Sequence, residues 1–75
     1  MIKDELEYRL KKAGVPNDCY CLKGGFPIES YVLAKSNIGW EVYYSEKGLK
    51  SGKKSFITED DACAYLYNLV IKYVK

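Results

Sequence analysis

The chain contains no histidine. That removes the commonest general base and metal ligand, and it leaves no way to assemble a Ser–His or Cys–His nucleophile pair within the chain. No carboxylate stands in the kind of apolar local stretch that raises a pKa for acid–base work. No apolar run approaches the roughly 20 residues of a membrane span. The first six residues, Met1-Ile2-Lys3-Asp4-Glu5-Leu6, mix charge with apolar side chains and hold no signal-peptide core, so a cytosolic protein is expected. Cysteine is sparse and odd in number, at Cys19, Cys21 and Cys63, which fits a reducing compartment better than a disulfide framework. Charge of one sign is also lacking. Twelve basic against ten acidic side chains leave a net +2, too even to imply nucleic-acid or membrane binding by itself.

What remains is a short chain rich in apolar and aromatic residues. Seventy-five residues with 48% hydrophobic content make one domain, residues 1–75, near the lower size limit for an independent core. Eight tyrosines and one tryptophan exceed what one small core needs. Some tyrosines are therefore expected at the surface, where amphipathic rings suit binding interfaces.

Periodicity predicts an α+β domain of order α-β-β-β(-β)-α. Ile2, Leu6, Leu10 and Ala13 fall on one face of a helix over residues 2–13. Glu5–Arg9 and Glu7–Lys11 support its exposed side, and Gly14 with Pro16 ends it. Residues 19–22 could form a short first strand, broken by Gly24-Gly25. Residues 30–35, 40–45 and 53–57 read as strands, with a turn at 36–39 and a glycine- and lysine-bearing loop over 46–52. These make an antiparallel meander of three to four strands, flanked by an N-terminal and a C-terminal helix. The last helix covers residues 59–74, with Thr58 as N-cap and Glu59, Asp60 and Asp61 facing the positive end of its dipole. Ala62, Cys63, Leu66, Leu69, Val70 and Tyr73 form its core-facing stripe. Tyr67, Ile71 and Val74 form a second apolar line. That line either packs on the first helix or pairs with another copy of the chain as a homodimer.

Few side chains point to chemistry. Cys19 and Cys21 form a C-x-C that would share one strand face and, with Cys63, offer three zinc ligands. The usual zinc signature has a second pair or histidines, so core packing is the plainer reading, and neither metal, disulfide nor other cofactor is expected. Gly24-Gly25 precedes Pro27 and a strand rather than a helix, and so reads as a turn, not a phosphate cradle. Lys47, Lys50, Lys53 and Lys54 cluster as either an anion- or partner-binding hairpin or a solvated loop. The element order matches double-stranded RNA-binding domains, which makes a small nucleic-acid-binding regulator the alternative function. Such domains open their second helix with lysines, however, where this chain has three acids that repel phosphate. On the central strand Trp40, Val42 and Tyr44 share the better core face. Glu41 and Tyr43 are left facing outward as an aromatic–acid pair.

Gly25-Phe26-Pro27, Trp40-Glu41-Val42-Tyr43-Tyr44-Ser45-Glu46-Lys47-Gly48, Phe56 and Glu59-Asp60-Asp61-Ala62-Cys63 together resemble small immunity proteins of bacterial polymorphic-toxin and contact-dependent growth inhibition systems. The resemblance covers most of the chain. It implies a cytosolic, non-enzymatic, cofactor-free protein that binds and neutralises one cognate toxin C-terminal domain. From the residues, the expected partner-binding surface is Glu41, Tyr43, Glu46, Glu59, Asp60 and Asp61. Nuclease-directed immunity proteins are often acidic, and a net charge of +2 departs from that pattern.

Overall fold

The computed structural model describes residues 1–25 and 27–73. Phe26 of the Gly25-Phe26-Pro27 motif and Val74 of the second apolar line lie outside the described residues. Helix α1 (Lys3–Lys12) is followed by a 3-10 turn (Asn17–Cys19) and strand β1 (Tyr20–Cys21). Strands β2 (Ser30–Ser36), β3 (Gly39–Glu46) and β4 (Leu49–Phe56) lead into helix α2 (Glu59–Tyr73). The sheet order is β1-β2-β3-β4. The architecture is the expected α+β domain with a helix at either end of a sheet. The sheet is mixed, however, because β1 runs parallel to β2, while β2–β3 and β3–β4 are antiparallel.

Both helices form for reasons visible in their ends. Helix α1 closes with Gly14 at φ +84°, while the Val15 N–H donates to the Leu10 carbonyl and the Gly14 N–H to the Lys11 carbonyl. That is a Schellman ending, which only a residue tolerant of left-handed backbone completes without strain. The Glu5–Arg9 and Glu7–Lys11 pairs form at 2.7 and 3.6 Å. Helix α2 is capped as expected: the Asp61 N–H donates to Thr58 Oγ1 at 3.2 Å.

The helices lie on one side of the sheet, side by side and pointing the same way. Glu59 opens α2 and accepts the Lys3 N–H at 2.7 Å, so one helix caps the other. About two turns on, Tyr67 borders Tyr8, Arg9, Lys12 and Ala13. Two positive dipole ends thus meet, and Asp4, Glu5, Glu59, Asp60 and Asp61 in the two first turns offset them. Asp60 also pairs with the Met1 amino group. The core joins Leu6, Leu10, Ala62, Cys63, Leu66 and Val70 to Leu33 and Val42 beneath them. Tyr67 and Ile71, half-buried, pack against this core.

Three details differ from the sequence reading. Ile2 is exposed, not part of the α1 core face, and Tyr73 is exposed rather than buried in the α2 stripe. The supposed loop over residues 46–52 is mostly strand. Only Lys47-Gly48 turns, both at positive φ as a two-residue hairpin requires, and β4 begins at Leu49. A bulge then follows: Val42 pairs with Lys54 but Tyr44 with Ser51, so Gly52 and Lys53 together face Tyr43.

Gly39 fixes how the β2–β3 turn meets the end of β4. Its φ is +152°, and a Cβ there would stand 2.4 Å from the Phe56 carbonyl oxygen and 2.8 Å from that of Ile57. Backbone cannot yield as a flexible side chain does. Gly39→Ala is expected to cost about 2 kcal/mol or more, seen as an earlier urea midpoint with an unchanged slope.

Candidate functional site

Strand alternation divides the sheet into a helix side and an opposite side. Trp40, Val42 and Tyr44 of β3 meet Lys35, Leu33 and Tyr31 of β2 on the helix side. Glu41, Tyr43 and Ser45 meet Ala34, Val32 and Ser30 on the other. The expected facing of Glu41 and Tyr43 is therefore what the structure shows, but their expected exposure is not. Tyr43 is 2% exposed and Glu41 9%.

The reason is the connection from β1 to β2, which folds under the sheet. Gly24 and Gly25, at φ +75° and +85°, hold a consecutive left-handed path that side chains with a Cβ resist. The Gly24 N–H donates to the Leu33 carbonyl at 3.1 Å. The Tyr43 hydroxyl donates to the Gly25 carbonyl at 2.7 Å. From the opposite edge, Lys50 extends over the Tyr43 ring, 4.7 Å from its centroid, and reaches Glu41 Oε1 at 2.8 Å. Lys53 stands 3.9 Å from the other Glu41 oxygen. Tyr43 is thus the centre of a second, small core roofed by an ion pair. Burial pushes its phenol above the ordinary value; Lys50 opposes the rise and Glu41 adds to it. The hydrogen bond to Glu41 raises Lys50.

The six residues expected to bind a partner do not form one surface. Glu41 and Tyr43 are occupied within the sheet. Glu59 accepts a backbone N–H of α1, and Asp60 pairs with the Met1 amino group. Asp61 is exposed at the start of α2. Glu46 is exposed at the β3–β4 turn, at the opposite end of β3 from Trp40, whose partner Phe56 leads into α2.

The cysteines separate as well. Cys21 pairs with Val32 on the underside and donates weakly to the Gly24 carbonyl at 3.5 Å. Cys19, in the 3-10 turn rather than on a strand, packs toward the helix-side core, and Cys63 is fully buried in it. The shared strand face expected for the C-x-C does not exist. Among the described residues, no group of three or more His, Cys, Asp or Glu is placed to hold a metal. Desolvation pushes the Cys63 thiol up to about 11.

Three surface hollows border the helices, one of them, about 330 Å³, between α1 and α2 at Tyr8, Arg9, Lys12, Ala13 and Tyr67. A second, about 470 Å³, lies between α1 and β1 and mixes Lys3, Lys11 and Lys23 with Asp4 and Glu7. Opposed charges so close, Lys11 and Glu7 at 3.6 Å among them, select no ligand of one sign. Another, about 320 Å³, lies on α2 and is lined by Tyr65, Asn68, Leu69, Lys72 and Tyr73. At its Tyr65 end α2 meets the last residue of β4, with the Tyr65 and Phe56 rings tilted at 5.2 Å. Every β4 residue from Leu49 to Ser55 is exposed. By register Leu49, Ser51 and Lys54 stand on the helix side, where neither helix covers them. From residue 47 to residue 58 the chain carries four lysines and no acid.

Comparison with protein-family models, characterised proteins and solved structures finds no match for this chain. Among the described residues, no helix is long and apolar enough to cross a membrane. The full length of β4 was not visible in the sequence, because its first half, residues 49–52, reads as a loop. The acid-free run from residue 47 to 58 was the one available signal.

Tyr43→Ala is expected to cost about 3 kcal/mol or more by leaving a cavity under the sheet. Tyr43→Phe should cost about 1 kcal/mol through the lost bond to Gly25. Chemical denaturation of both variants checks the ranking. A neutral phenol or thiol with a raised folded pKa stabilises fully below its unfolded pKa and loses that contribution as pH rises through the folded one. Stability should therefore hold at neutral pH and fall from about pH 9 upward as Cys63, then Tyr43, Tyr20 and Tyr31, titrate. Thermal melts across that range test it, with Tyr43→Phe flattening the upper part.

Proposed function

We propose that this chain is an immunity protein, which binds a cognate bacterial toxin C-terminal domain in the cytoplasm and neutralises it without catalysis. The observation that carries the reading is the exposed strand β4 beside the tyrosine-bearing flank of α2. A strand left uncovered on its helix side, with Tyr65 of α2 packed on its last residue Phe56, offers the aromatic and apolar anchors typical of protein interfaces. The likeness of the Trp40–Gly48 segment and the acidic α2 start to immunity proteins supports the same reading. Of the acids expected to face the toxin, Glu59, Asp60 and Asp61 stand together at the shared helix end. Two of the three α2 acids nonetheless have structural partners there.

A nucleic-acid-binding regulator is the second reading, favoured by the lysines of β4 and by parallel helices on one side of the sheet. Against it, Lys50 and Lys53 are turned to Glu41, and the start of α2 presents carboxylates.

Co-expression with the toxin domain encoded beside this gene tests the proposal. Growth should be restored, and the two chains should co-elute as a complex that survives about 0.5 M salt, where phosphate-driven binding has weakened by orders of magnitude. Unrelieved toxicity with no complex overturns it, and salt-sensitive binding to duplex RNA supports the second reading instead.

A further inference from the structure

Strand β4 ends the sheet. The order is β1-β2-β3-β4, and among the described residues no strand lies beyond it. The other edge, β1, is two residues long, whereas β4 runs for eight. An open edge of that length presents a row of backbone donors and acceptors at strand spacing. Its charge is of one sign. Residues 47–56 carry Lys47, Lys50, Lys53 and Lys54 and no acid. Glu41 of β3 takes up two of these lysines, Lys50 at 2.8 Å and Lys53 at 3.9 Å. Lys47 and Lys54 have no ion pair among the described residues. By register Lys54 shares the helix side of β4 with Leu49, which is 70% exposed.

We propose that the outer edge of β4 receives an extended, acidic segment of a protein partner, added to the sheet as a further strand. Its side chains set an apolar group beside Leu49 and a carboxylate beside Lys54. The inference deepens the immunity reading, on which it rests for the source of the segment, the toxin domain. Main-chain pairing supplies the attachment and the side chains supply the choice of partner. Charge decides against a second copy of this chain. Antiparallel pairing of β4 with itself sets lysine near lysine, and like charges across a ladder are destabilising. The lysines that bar a copy attract carboxylates, so one feature both repels the wrong strand and selects the right one. The bulge acts in the same sense. It twists β4 away from a flat copy without ending it, since Tyr44–Ser51 and Val42–Lys54 pair on either side of it. A nucleic acid answers the lysines but uses neither the backbone row nor Leu49.

The probe is a synthetic peptide of about six residues that alternates valine with glutamate. Its N-methylated twin keeps the charges and loses the backbone donors. Titrated into the full chain and followed by amide NMR, the first should shift the resonances of Leu49–Phe56, and the twin should leave them in place. If neither peptide shifts them, or both do so alike, the edge is wrong. Lys54→Glu should weaken the effect about fivefold or more and Leu49→Ser about threefold. Lys23→Glu, the same charge change at an exposed position of the β1–β2 connection, should leave it unaltered. Circular dichroism verifies the fold of each variant. Equal weakening by Lys23→Glu assigns the binding to net charge and overturns the edge. So does an RNA duplex that shifts the same resonances at physiological salt where the peptide does not. Any toxin domain found encoded beside the gene separates this inference from the reading beneath it. If that domain binds wild type, Lys54→Glu and Leu49→Ser alike, the edge is wrong and the immunity reading stands. If the peptide behaves as expected and the toxin domain does not bind, the edge stands and the immunity reading falls.

Discussion

The burial of the α2 stripe across β2 and β3 is the contact on which the rest of the structure depends. Leu66 and Val70 meet Leu33 and Val42, all fully buried, and α1 can reach the core only by leaning on α2 through Leu6 and Leu10. In a chain of 75 residues there is little apolar area to spare. Placing α2 over β2 and β3, with Phe56 at the end of β4 packed against it, closes that core and leaves β4 from Leu49 to Ser55 outside it. The uncovered strand thus follows from a shortage of helix, and its lysines and bulge keep it soluble and unpaired.

The second constraint acts on the underside. A single tyrosine, Tyr43, ties the β1–β2 connection to the sheet, and the Glu41–Lys50 pair roofs it. The two halves of the aromatic–acid pair are held by each other's surroundings: the acid keeps the lysine over the ring, and the ring gives the lysine an electron-rich face. This makes Tyr43 part of the fold. A function that needs an exposed tyrosine must draw on Tyr8 or Tyr73 instead.

Much of the fold was legible in the sequence. The helix ends, the turn at Asn37-Ile38 and the alternation on β3 follow from local chemistry that tertiary packing leaves intact. The differences have separate physical causes. Alternation assigns a side chain to a face but says nothing of what covers that face, so Tyr43 and Glu41 read as exposed. The β1–β2 connection that buries them carries only a turn signal, Gly24-Gly25. The first half of β4 was hidden because Leu49-Lys50-Ser51-Gly52 lacks β-branched residues and pairs only through β3. The mixed sheet was equally hidden, since a two-residue strand has no pattern from which to read direction. The immunity reading rests on a likeness in the central strand.

The most direct measurement of the central claim is amide hydrogen exchange of the chain, alone and with any toxin domain found encoded beside its gene. The account predicts new protection across Leu49–Phe56 and in the α2 turns holding Tyr65, Leu69 and Tyr73, with the β1–β2 connection unchanged. Protection centred on that connection and on β3, with β4 exchanging as freely as before, would contradict it.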